Sequence, residues 1–326
     1  MSRSTKIGSD SQAPAPWLLT ILIASSIAVQ HVVHGAVQVG FYDATCSAAE
    51  SIVKGAVQSA VALDGTIAAS IIRLHFHDCF AQGCDASIML TGTGSERDAP
   101  PNLSVRGYGV INDAKAQLES SCPGVVSCAD IIALAARDSV EILGGATYGA
   151  ETGRFDGAAP AASVNIPSPN SAVAEATPFF TNLGLTQDDM VNLLGAHTVG
   201  VSQCQFFVDR LYNFQGTGLP DPSLDATYLA VLQSRCPNVA GDVTTVALDQ
   251  GSESSFDTGY FTNIQASKGV LRIDQEIAND ASTSGRVNTL AASPSTFGTD
   301  FATSMIAMGR IAVLTSGSVR SDCETA

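Results

Sequence analysis

Tryptophan is almost missing from this chain of 326 residues: Trp17 is the single one, and it lies near the N-terminus. Histidine is scarce, five in all, and beyond residue 37 only His75, His77 and His197 remain, so any imidazole chemistry of the body of the chain must use those three. Positive charge is short as well. Sixteen lysines and arginines face 31 aspartates and glutamates, a formal charge of -15, and that field opposes phosphate backbones and anionic lipid, which excludes nucleic acid as a partner. No apolar run reaches the roughly 20 residues that span a bilayer. There is no low-complexity linker, no charge block and no repeat of fixed period to mark an internal boundary. No His-Glu-x-x-His pattern occurs, which argues against a zinc hydrolase built on His75-x-His77, and no Cys-x-x-Cys-His, which excludes covalent haem attachment through that motif.

What is present begins with Arg3 and Lys6, an uncharged run from Trp17 to Val29, and the small residues Gly35 and Ala36. That is the order of a secretory signal, removed through about Val37, and it leaves residues 38–326 as one domain with no membrane attachment. Eight cysteines follow, and an even count in an exported chain points to four disulfides. Count and spacing leave roughly a hundred pairings open, although Cys79 and Cys84 could close a short local loop. The fold class is mainly α. Helices are expected at 48–62, 67–81, 110–119, 224–234, 256–266 and 300–308, with one opened by Ser127 and Asp130 and another by Thr186 and Asp189, acidic variants of the capping box. The Gly- and Pro-rich stretches 91–101, 144–169 and 216–222 read as long irregular connections, for which disulfides and metal ions are the available restraints.

In Arg73-Leu74-His75-Phe76-His77, Arg73 and His77 share a helix face while His75 is turned about 200° from His77. An arginine one turn from a neutral imidazole suits peroxide heterolysis, because the base moves the proton and the guanidinium stabilises charge on the departing oxygen. Asn102 is either the partner that orients His77 or, in Asn102-Leu103-Ser104, a glycosylation acceptor; the two exclude each other. The run from Asp78 to Ser87 gathers carboxylates, a hydroxyl and a small-residue turn, a hard-oxygen set suited to calcium. His197 ends an apolar stretch among small residues that would admit a flat cofactor, and it could be an axial iron ligand.

Taken together, Arg73-Leu74-His75-Phe76-His77-Asp78-Cys79-Phe80 and Gly195-Ala196-His197-Thr198 resemble the distal and proximal signatures of the class III secretory plant haem peroxidases, the horseradish peroxidase family. The resemblance runs from Gln38 through Pro123–Asp130 to Cys323. It implies a two-lobed all-helical fold with one haem b between distal and proximal lobes. Arg73, Phe76, His77 and Asn102 would lie on the distal side, His197 would be the axial ligand and Asp274 its hydrogen-bond partner. It also implies two calcium ions, one held by Asp78, Asp85 and Ser87 with the carbonyls of Ala81 and Gly83 and with Glu96 acting through water, the other by Thr198, Asp249, Ser252, Ser255 and Asp257. The implied bridges are Cys46–Cys122, Cys79–Cys84, Cys128–Cys323 and Cys204–Cys236, and Pro167 would help orient donors near the haem edge.

The activity so implied is reduction of hydrogen peroxide to water, through a ferryl and porphyrin-radical intermediate, with phenolic donors oxidised one electron at a time by a monomer. The chain ends soon after Cys323, which favours the apoplast and cell wall over vacuolar sorting. Leu194, Phe155 and Tyr148 depart from the family's usual serine, arginine and tryptophan, and none removes a catalytic group. The alternative keeps the fold without turnover, as an extracellular haem-binding or cell-wall protein.

Overall fold

The computed structural model describes Met1, Ser2 and residues 37–326, so the expected signal segment lies, but for its ends, outside the described residues. Among the described residues four helices come first: α1 (Ala49–Leu63), α2 (Ile67–Ala81), α3 (Tyr108–Ser121) and α4 (Cys128–Ile142). Eight follow: α5 (Val173–Thr181), α6 (Gln187–Leu194), α7 (Val208–Tyr212), α8 (Ala226–Arg235), α9 (Gly259–Gln265), α10 (Arg272–Asn279), α11 (Ser284–Ala292) and α12 (Pro294–Met308). The fold is mainly α, as expected.

Two hydrophobic clusters define two lobes. One joins α1, α3 and α4 through Val53, Val57, Ile111, Leu118, Ile131 and Leu134, and takes Ile71 and Leu74 from α2. The other gathers α5 to α12, and takes Ile72 and Phe80 from α2 and Val140 from α4. Helices α2 and α4 thus serve both cores. α4 is buried from Cys128 through Val140, and a helix apolar on most of its faces is an interior one. Its polar residues are paired: Asp130 accepts from Tyr42 and from Arg154, and Arg137 bridges Asp138 and Glu50.

The helix-start signals work unequally. Thr186 and Asp189 make the full reciprocal box at α6, each side chain accepting from the other's backbone N–H. At α4 only half of it forms: Ser127 Oγ accepts from Asp130 N, while the Asp130 carboxylate is drawn away to Tyr42, Gly153 and Arg154. α12 starts at Pro294, six residues before the expected position, because Ser293 caps it and proline is tolerated in a first turn.

All eight cysteines are paired as the family resemblance implies, 46 with 122, 79 with 84, 128 with 323 and 204 with 236. None of these bridges enters the long connections. The segment 144–172 is held by buried polar contacts instead: Asp156 accepts from Ala129 and Arg320 backbone N–H, Gly157 N donates to Asp85 O, and Arg154 grips Asp130 and the Gly309 carbonyl. One antiparallel ribbon, β1 (Val201–Gln203) with β2 (Thr245–Ala247), pairs Val201 with Ala247 and ties the residues after His197 to those before Asp249.

Candidate active site

On α2, Arg73 and His77 both address the short segment Pro101–Ser104. His77 Nδ1 lies 2.7 Å from Asn102 Oδ1, and Asn102 Nδ2 donates to the Glu96 carbonyl at 2.9 Å. With its amide nitrogen committed there, Asn102 presents an oxygen to His77, so Nδ1 carries the proton and Nε2 the lone pair. Arg73 Nη1 donates to Ser104 O and Ser104 Oγ, and Nη2 donates to Pro101 O, on either side of Asn102. Burial, then the charge of Arg73, push His77 down to about 3 against the raising effect of Asn102, so the imidazole is neutral across ordinary pH. Asn102 is 2% exposed with both amide atoms engaged, a position no glycan can occupy. Phe76 is partly exposed beside His77, edge-on at 5.4 Å between ring centres.

His75 faces elsewhere, as its spacing requires. It is buried 3.6 Å from Cys79 Sγ, and burial with the charge of Arg154 lowers its pKa to about 3.

His197 sits in the tight turn Gly195–Thr198 that follows α6. Its Nδ1 lies 2.8 Å from Asp274 Oδ1; the carboxylate selects the Nδ1–H tautomer, and Nε2 has no hydrogen-bond partner among the described residues. This is the state an iron-ligating histidine needs. Gly195 is small for a packing reason: its Cβ would lie 2.5 Å from Phe297 Cε2. Tyr260, which the sequence reading passed over, donates from its hydroxyl to the same Asp274 Oδ1 at 3.0 Å. Burial and Asp274 push that phenol well above its usual range, so it stays a donor. A tyrosine three residues after Asp257 carries no motif that would have marked it.

Two oxygen sets suit hard cations. In the first, Asp78 Oδ1, Ser87 Oγ and Glu96 Oε2 are buried without a hydrogen-bond partner among the described residues, which is costly unless a cation compensates them. Asp78 is pushed well above the carboxylate range by burial and then by Asp85. Asp85 Oδ1 accepts from Ser87 N, and Gly83 O accepts from Asp85 N; Ala81 closes α2 just before them. In the second, Thr198 Oγ1 reaches Asp249 Oδ2 at 2.9 Å, Ser252 Oγ reaches Asp249 Oδ2 and Asp257 Oδ1 at 3.2 and 3.3 Å, and Ser255 O is 3.5 Å from Thr198 Oγ1. A Cβ on Gly259 would lie within 2.9 Å of Asp249, Ser252 and Asp257 oxygens, so these oxygens surround one point. His75 Nδ1 faces the disulfide-bonded Cys79 and His77 Nδ1 faces Asn102, so the two histidines do not form the paired ligands that the zinc-hydrolase alternative needs. Pro167 is half-buried in a connection whose Pro169 carbonyl accepts from Ile273 N at the start of α10.

A family model described as Peroxidase matches residues 53–293. The chain is 46% identical over 290 residues to Peroxidase 71 of Arabidopsis thaliana, an alignment covering 88% of each chain. It is 43% identical over 317 residues to Peroxidase 5 of Vitis vinifera, covering 94% of this chain and 96% of that one. It is 44% identical over 314 residues to Peroxidase N1 of Nicotiana tabacum, covering 94% and 95%.

Proposed function

The chain belongs to the peroxidase family, in its class III plant branch, and we propose that His77 is the acid-base group, Arg73 the electrostatic stabiliser and His197 the axial ligand of this haem peroxidase. It acts on hydrogen peroxide and an electron donor, and the non-catalytic alternative is not favoured, since the relatives it matches are named peroxidases. Haem b, when bound through His197 Nε2, supplies the redox centre between peroxide and donor. His77 Nε2 takes the proton from one peroxide oxygen and delivers it to the other, which leaves as water. Arg73 keeps its Nε–H and one Nη2–H free of partners among the described residues, and these stabilise negative charge on the departing oxygen. Asn102 holds the tautomer that keeps Nε2 basic.

Two calcium ions per chain fit the two oxygen sets, Asp78, Asp85, Ser87 and Glu96 with the carbonyls of Ala81 and Gly83, and Thr198, Asp249, Ser252, Ser255 and Asp257. The Glu96 carbonyl that accepts from Asn102 couples the first ion to the base. The donors are phenolic, oriented near Pro167, and the enzyme is a monomer secreted to the apoplast after loss of residues 1–37. No helix of the described residues is long and apolar enough to cross a membrane.

The buried contact of His77 with Asn102, which leaves a neutral Nε2, carries this reading. Residues 38–326 reconstituted with haem and calcium should react with stoichiometric hydrogen peroxide and return to the resting absorption spectrum on adding a phenol. His77→Ala should slow the peroxide step roughly a hundred- to ten-thousand-fold. A His77→Ala protein as fast as the parent would remove His77 from its role.

A further inference from the structure

Asp274 Oδ1 accepts two hydrogen bonds, from His197 Nδ1 at 2.8 Å and from the Tyr260 hydroxyl at 3.0 Å. Its other oxygen accepts from Leu271 N at 3.3 Å. Asp274 is 0% exposed and Tyr260 1%, so no bulk water competes for that carboxylate. The phenol makes no other hydrogen bond among the described residues, and its ring stands edge-on to His197 with centres 6.1 Å apart. We propose that Tyr260 is a positioning residue for the axial histidine, weakening the pull of Asp274 on the Nδ1 proton by sharing the oxygen that accepts it. The proposal rests on His197 as the axial ligand.

The chemistry follows from competition for one oxygen. A donated phenol proton stabilises the carboxylate as an anion and makes it a poorer acceptor for Nδ1–H. Less negative character then reaches Nε2, and ferric iron, which an electron-rich ligand favours, is favoured less over ferrous. Tyr260 would therefore set how strongly the proximal side supports high-valent iron.

The test uses the haem-loaded protein and two readouts besides activity: the ferric/ferrous midpoint potential and the iron–histidine stretching frequency of the ferrous form. Tyr260→Phe keeps the ring in the core and removes only the donor; its potential should move negative and its stretching frequency should rise. Tyr212→Phe is the control, because that hydroxyl donates to the Cys236 and Gln233 carbonyls and not to Asp274; it should leave both readouts where they are. Should Tyr260→Phe not fold, 3,5-difluorotyrosine at position 260, a stronger donor, should move both readouts the opposite way. Unchanged readouts in a histidine-ligated Tyr260→Phe protein would overturn the role of Tyr260 while leaving the ligand assignment intact. If the parent protein itself has no iron–histidine vibration, the ligand assignment fails and the proposal falls with it.

Discussion

Asn102 is held at both ends of its amide, by His77 and by the Glu96 carbonyl, and it illustrates what one side chain decides at this site. The sequence offered it as a glycosylation acceptor or as the partner of His77, two roles that spacing cannot separate; burial separates them. Asn102→Leu should slow the peroxide step about tenfold to a hundredfold, the worth of a hydrogen bond of about 1.5–3 kcal/mol to a group that becomes charged, as read by stopped-flow mixing with peroxide. His75 acts on stability. Its pKa falls from 6.5 in a free chain to about 3 when folded, so its contribution is present in full above 6.5 and is lost as pH falls through that window to about 3. Denaturant titrations from pH 7 to pH 3 should therefore show a shallower loss of stability in His75→Leu than in the parent. Equal slopes would mean that His75 titrates normally in the folded protein.

Among the elements, α2 was the most legible, because its apolar period and its Arg73–His77 spacing describe the same helix. The segments that went unread as helices were α5, α7, α10 and α11. α5 contains Pro178, which punctuates a helical pattern, and α7 is only five residues long. α10 opens with Arg272 and carries Asp274, whose second oxygen caps its own helix at Leu271 N; the signal is a tertiary partnership as much as a local one. The turn after α6 carries a prediction of its own. A methyl group on Gly195 would strike Phe297 and Phe261, so Gly195→Ala should destabilise the protein by about 1–3 kcal/mol, the usual effect of overpacking. Thermal unfolding of the haem-free protein would measure it, and an unchanged midpoint would show that Phe297 gives way freely.

At the scale of the whole molecule, two lobes share α2 and α4, and the Cys128–Cys323 bridge joins the start of α4 to the end of the chain across 195 residues. Closing so long a loop restricts the unfolded chain, and replacing both cysteines by alanine should cost about 2–5 kcal/mol of unfolding free energy in denaturant titration; no loss would mean that the terminal segment is held by its polar contacts alone. The sequence by itself determined the class of the fold, the two histidine signatures and the number of bridges, because helical period, residue scarcity and an even cysteine count are written in composition and spacing. It also determined, through resemblance over the whole body of the chain, which family the protein joins. Only the tertiary structure decided that Asn102 is buried, that the connection 144–172 is tied by Asp156, Arg154 and Gly157, that Gly195 serves Phe297, and that Tyr260 shares an oxygen with His197. Each of these depends on groups brought together from different parts of the chain, and a contact made across the fold leaves no periodic trace in the sequence on either side of it.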